Sequence, residues 1–118
     1  MPALLLYTRP NHQHPAIIED LLDLAAAGQQ RAVDAAITML TDLHRAATVT
    51  DSVYAKRLQG LPVWELKTHA RGGAVGGTRV YFIAAADGRA VIVNAEIKAG
   101  DTAGAALREA VRVARRKE

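Results

Sequence analysis

The hydrophobic pattern divides the chain into an early part that repeats every three to four residues and a later part that alternates. Ala-Leu-Leu-Leu-Tyr at 3–7 is a short apolar run closed by Arg9-Pro10, which predicts a buried strand. After it, Ile17, Leu21 and Leu24 form one stripe, with Ile18, Leu22 and Ala25 beside it, at helical spacing. Pro15 suits a first helical turn, Glu19 and Asp20 sit near its positive end, and Gly28 is a natural stop. A helix is therefore expected from about 15 to 27. Val33, Ala36, Ile37, Leu40, Leu43 and His44 then repeat the period, predicting a second helix that ends near Ala47 with Arg45 in its last turn. Together they predict an αα-hairpin with one apolar face per helix.

From Thr48 to Pro62 no period is sustained, so this stretch is expected to be a connecting loop with room for one helical turn. Residues 63–70 alternate, Trp64 and Leu66 against Glu65, Lys67 and His69, as a half-buried strand does. Four glycines within 70–77 predict a flexible connection. The stretches 78–85 and 90–97 flank Asp87-Gly88, a pair favoured in two-residue type I′ turns. That turn would set Phe82 opposite Val93, Tyr81 opposite Asn94, Val80 opposite Ala95 and Arg79 opposite Glu96. One face then carries Val80, Phe82, Ala84, Val91, Val93 and Ala95. The other carries Arg79, Tyr81, Asn94, Glu96 and Lys98, with Ile83 and Ile92 nearer the turn, and Glu65, Lys67 and His69 join it from the earlier strand. The helical hairpin is expected to cover the apolar face and leave the polar face open. A last helix is expected from about 103, capped by Asp101 or Thr102. Its apolar stripe is Leu107, Val111 and Ala114, and its basic stripe Arg108, Arg112, Arg115 and Arg116. The expected class is α+β: one domain over 1–118, with a small antiparallel-rich sheet, an N-terminal helical hairpin on one face and a C-terminal helix.

Composition narrows the chemistry. With 118 residues and no cysteine, the chain is long enough to fold around one core, and disulfides, thiolate metal sites and a cysteine nucleophile are excluded. A reducing cytoplasm is the expected location. No apolar run approaches the length of a bilayer span, and the opening residues lack the basic leader of a signal peptide. Residues 1–50 hold three basic side chains against five acidic ones, and residues 51–118 hold twelve against seven. A basic half of this kind suits a polyanion such as RNA, and equally an acidic protein.

On the polar face, Lys67, Arg79 and Lys98 could grip phosphates, with Arg71 leaning over from the glycine loop. His69, Tyr81 or Glu65 could move protons. The same pattern also fits an ordinary solvated sheet face with an Arg79–Glu96 ion pair. His12 and His14 have the spacing of two metal ligands on a strand, but no further ligands cluster with them, so no metal is expected. The glycines of 72–77 match neither a Walker loop nor a dinucleotide fingerprint. The basic stripe of the last helix fits RNA, an acidic partner or a solvated surface.

In order along the chain, Trp64-Glu65-Leu66-Lys67, the glycine loop, Arg79-Val80-Tyr81-Phe82, the Asp-Gly hairpin and a strand running into Lys98 resemble the HigB-like branch of the RelE/ParE toxin superfamily. Ala-Lys-Arg-Leu-Gln-Gly at 55–60 resembles the stretch that leads into the first motif of that family. The resemblance implies a type II toxin–antitoxin toxin that cleaves messenger RNA on the ribosome and is neutralised by a cognate, often helix-turn-helix, antitoxin. It implies that Lys67, Arg71 and Arg79 hold the scissile phosphate, that Tyr81 or His69 assists proton transfer, and that Lys98, with Lys56 and Arg57, binds RNA. No cofactor or metal is implied, because the 2′-hydroxyl of the RNA can attack the adjacent phosphate. Lys67 stands where the family usually has Arg, Thr78 where it has Tyr, and Ala99 where it has a second Lys, followed by Asp101 in a loop that is commonly basic. Two other readings remain: a ParE-like gyrase poison, and a degenerate toxin that only binds its antitoxin.

Overall fold

The computed structural model describes residues 1–68, 77–97 and 104–116. In chain order they form β1 (Leu4–Leu6), α1 (Ala16–Ala26), α2 (Gln30–Arg45), a 3₁₀ turn (Val49–Asp51), β2 (Ala55–Arg57), β3 (Trp64–Lys67), β4 (Thr78–Ala84), β5 (Ala90–Ile97) and α3 (Ala105–Arg116). The five strands make one mixed sheet in the order β1-β5-β4-β3-β2. β1 runs parallel to β5 and the other neighbours are antiparallel. The fold is α+β.

The helical hairpin is built as its sequence predicts. α1 ends in a Schellman turn: the Gly28 amide donates to the Ala25 carbonyl (3.0 Å) and the Gln29 amide to that of Leu24 (2.8 Å). Gly28 has φ +79°, a conformation that disfavours side chains with a Cβ. The buried stripe of α2 is Ala32, Val33, Ala36, Met39 and Leu43. Met39 therefore takes the inward position expected of Ile37, which is 52% exposed. His44 is exposed, and its Nδ1 lies 3.0 Å from the Pro2 carbonyl. α1 lies over β5 and α2 over β4. Ile17, Leu21, Val33, Met39 and Leu43 meet Leu66, Val80, Phe82 and Ile92 of the sheet in one core, and Trp64 stacks on Phe82 with ring centroids 6.1 Å apart.

The strand at 3–7 is not buried: β1 is an edge strand of the sheet, with Leu5 and Leu6 exposed. Three further expectations need correction. The loop over 48–62 contains a strand: Ala55–Arg57 pairs with Trp64–Leu66, too short to impose a period on the sequence. The hairpin loop has three residues, not two. Ala85 and Arg89 close it (Ala85 amide to Arg89 carbonyl, 2.8 Å), with a turn bond from the Gly88 amide to the Ala85 carbonyl (3.0 Å) and Gly88 at φ +89°. This is the type I turn plus left-handed glycine that ends many hairpins. The longer loop shifts the register by one near the turn, pairing Phe82 with Ile92 and Ile83 with Val91. An irregularity at Tyr81/Phe82 then restores the expected Tyr81–Asn94, Val80–Ala95 and Arg79–Glu96 pairs. Ile92 consequently joins the hairpin-side core and Val93 faces the other way.

The third correction concerns the polar face, which is not left open. α3 packs on it: Ala110, Val113 and Ala114 form a second core with Val63, Tyr81 and Val93, all at most 4% exposed. Sheet residues alternate between the two cores, so α3 and the helical hairpin sandwich the sheet.

Candidate functional site

Strand pairing assembles the polar side chains of the α3 face into two rows. In the first, Lys56, Glu65, Tyr81 and Asn94 are successive cross-strand partners from β2 to β5; in the second, Lys67, Arg79 and Glu96 are partners from β3 to β5. Opposed residues project to one side of a sheet, so the register brings Lys56, Lys67 and Arg79 together with Glu65 and Tyr81. Arg57 pairs with Trp64, out of phase with Lys56, and lines an open cleft of about 540 Å³ at the hairpin end with Pro62, Trp64 and Ile83. His69, Arg71 and Lys98, expected at the site, lie outside the described residues.

Coverage differs along the rows. α3 contacts β4 and β5, and there Tyr81 and Asn94 are fully buried and Arg79 is 8% exposed. Toward the β2 edge Lys67 is half-buried and Lys56 exposed. The Tyr81 hydroxyl donates to Glu96 Oε1 (2.8 Å). Burial, and then the Glu96 carboxylate, push its pKa well above the ordinary tyrosine range against a smaller opposing pull from Arg79. A phenol so held stays protonated at neutral pH, and its proton is committed to Glu96. The expected proton-transfer role of Tyr81 therefore meets a side chain that the structure uses as a strut. Glu96 Oε1 also accepts from the Gly104 amide (3.3 Å), which ties the strut to the residue preceding α3. A Cβ on Gly104 would lie 3.1 Å from the other Glu96 oxygen.

Among the described residues, the best-connected polar side chain belongs to Arg9, whose expected part is only to close the first strand. Arg9 Nε donates to Glu109 Oε2 (2.7 Å) and Nη2 to Glu109 Oε1 (3.0 Å), a two-pronged pair, while Nη1 reaches Glu19 (3.1 Å) and Nη2 reaches Asp20 (3.1 Å). Asn94 Nδ2 donates to the same Glu109 Oε1 (2.7 Å) and to the Ala106 carbonyl (2.9 Å). Asp20 Oδ2 accepts from the Ala95 amide (3.1 Å) on the stretch of β5 beyond its pairing with β1. Arg9 thus joins α1, α3 and, through Asn94 and Asp20, the sheet. Its guanidinium holds Glu109 below the ordinary glutamate range. Asp20 lies above its ordinary range because burial outweighs its hydrogen bonds. The available signal was compositional: Arg9 is the sole basic residue before Arg31, and Glu109 the sole acid between 102 and 117.

His12 Nδ1 lies 2.9 Å from both oxygens of Glu19, so it belongs to the edge of this cluster. Among the described residues no group of three or more His, Asp and Glu is arranged to hold a metal ion, and no helix is long and apolar enough to cross a membrane. Compared with known proteins, the chain matches no protein-family model and no curated protein sequence.

Proposed function

We propose that the chain is a toxin of a type II toxin–antitoxin system that cleaves messenger RNA on the ribosome, working in the cytoplasm and held in check by a cognate antitoxin protein. The observation that carries this reading is the pairing of Lys67 with Arg79 across β3 and β4, with Lys56 in the neighbouring row. Two separate segments contribute cations to one patch, and both segments carry the motifs that resemble the HigB-like branch. A phosphodiester lying along the β2–β3 flank would meet the exposed Lys56 and the half-buried Lys67 first. The two lysines would neutralise its charge, and Arg79 would stabilise the extra charge that develops as the 2′-hydroxyl attacks.

Mapping transcript ends after brief induction tests this reading. Cleavage by the wild type, reduced about a hundredfold in Lys67→Ala, is the expected result. Intact transcripts with folded wild-type protein would overturn it, and a DNA-damage response beside intact transcripts would point to a gyrase poison.

A second reading keeps the toxin fold and antitoxin partner but has no RNA cleavage. The burial of Tyr81 and its bond to Glu96 favour it, since this expected proton-transferring group is occupied. It predicts tight complex formation with the antitoxin and no growth arrest.

A further inference from the structure

Outside the sheet, the strongest concentration of one charge is on α3. Arg108, Arg112, Arg115 and Arg116 fall at i, i+4, i+7 and i+8, and all four are exposed. Ala110, Val113 and Ala114 point the opposite way into the core. At 1.5 Å per residue, Arg108, Arg112 and Arg116 follow one another at intervals of roughly 6 Å along the axis. The single acid of the helix, Glu109, lies at the edge of this face, where it is hydrogen-bonded by Arg9 and Asn94 and feels the charge of Arg112. The outward face therefore carries four guanidinium groups without an intervening carboxylate.

We infer that this face of α3 is a sequence-independent binding surface for the phosphate backbone of RNA, separate from the patch on β2–β4. Two features favour RNA over an acidic protein. A protein interface needs an apolar centre, whereas the exposed positions of α3 are the four arginines and Ala105. A phosphate backbone needs only spaced cations, and the guanidinium fork matches phosphate oxygens two at a time. The surface stands whether or not the chain cleaves RNA, since it shares no residue with the proposed cleavage patch.

The test is fluorescence anisotropy of the full-length protein with a labelled RNA duplex, over a series of salt concentrations. Arg112→Gln/Arg116→Gln is compared with the wild type after circular dichroism has shown both to be folded. The double variant should bind at least tenfold more weakly near physiological salt, and its log–log salt slope should be shallower by about 1.8, the value for two lost phosphate contacts. Arg108→Gln/Arg115→Gln should behave alike, so the result does not hang on one variant. Wild-type affinity should be equal for duplexes of unrelated sequence. An unchanged slope in both variants would overturn the inference. So would displacement of RNA by polyglutamate of equal charge at equal concentration, which would identify the face as a dock for an acidic polypeptide. Loss of binding without loss of transcript cleavage, or the reverse, separates this surface from the proposed activity.

Discussion

Toward the helical hairpin the sheet presents Leu66, Val80, Phe82 and Ile92, and its buried polar residue there, Thr78, donates to the Ala32 carbonyl at 2.8 Å. Toward α3 it presents Glu65, Tyr81, Asn94 and Glu96, with Val63 and Val93 as its buried aliphatic residues. The first face is held by buried area, which rewards volume and tolerates rotation. On the second, α3 contributes only Ala110, Val113 and Ala114 as fully buried apolar residues, each smaller than the leucines and isoleucines opposite. Its docking therefore leans on placed hydrogen bonds, Asn94 to Ala106 and Glu109, and Arg9 to Glu109. Such bonds are individually modest but costly to leave half-made. One face should thus respond to changes of size and the other to changes of polarity.

The largest effect is expected where size matters most. Phe82 is fully buried against Trp64, and Phe82→Ala should cost about 3–5 kcal/mol, measured by urea unfolding, through lost transfer energy and the cavity left behind. A loss below about 1.5 kcal/mol would mean that the hairpin face is not the one that sets stability.

Arg9→Met tests the other side. Its side chain keeps 23% exposure, so solvent screens part of each ion pair, yet the substitution strips partners from Glu109 and Asp20 together. A cost of about 2 kcal/mol is expected. Hydrogen exchange should quicken in α3 more than in α2, because the lost bonds tether α3. Uniform quickening would show that Arg9 serves the whole fold and not that helix. In an Arg9→Met/Glu109→Gln double-mutant cycle the two effects should fall short of additivity by about 1 kcal/mol.

The hairpin face was largely legible in the sequence, because a period of three to four residues and a Schellman glycine are local signals. Even there, Met39 and Ile37 exchanged roles, since both lie near the edge of the stripe and packing against the sheet decides between them. The α3 face was less legible. Its polar row was readable from alternation, but the weak apolar stripe of the last helix gave no sign that it would lie over that row. The expected Leu107 and Val111 are only partly buried, and Ala110 and Val113 take the inward positions. Nor does a sequence reveal that Arg9 and Glu109, a hundred residues apart, will meet. Of the expected site residues, Lys67, Arg79 and Tyr81 do come together with Lys56, because the far half of the hairpin keeps the expected register. The near half lies one residue away from it, because an Asp-Gly pair fits a three-residue loop as well as a two-residue one. Val93→Ala checks that difference: with Val93 against α3, the loss of two buried methylene equivalents should cost about 1.5 kcal/mol and raise exchange in α3 rather than in α1.

The smallest effect is a matter of pH and isolates the carboxylates around Arg9. Glu109 has its folded pKa lowered by Arg9, so its stabilisation is complete above the unfolded glutamate range, about 4.3, and is lost as pH falls through the lowered value. Asp20 has its folded pKa raised by burial, so its ionisation works against the fold, and stability is regained as pH falls through the raised value. In acid titration the two oppose each other: protonation of Asp20 restores stability and protonation of Glu109 removes it. Glu109→Gln should cost about 1 kcal/mol at pH 7 and flatten the acid fall, whereas Asp20→Asn should remove the opposing gain and leave that fall in place. Chemical unfolding at intervals from pH 7 to pH 3 reads both. If Glu109→Gln left the acid limb as steep as in the wild type, the polar side of the comparison would lose its main support, because α3 would then be held by its small apolar contacts and not by the bond to Arg9.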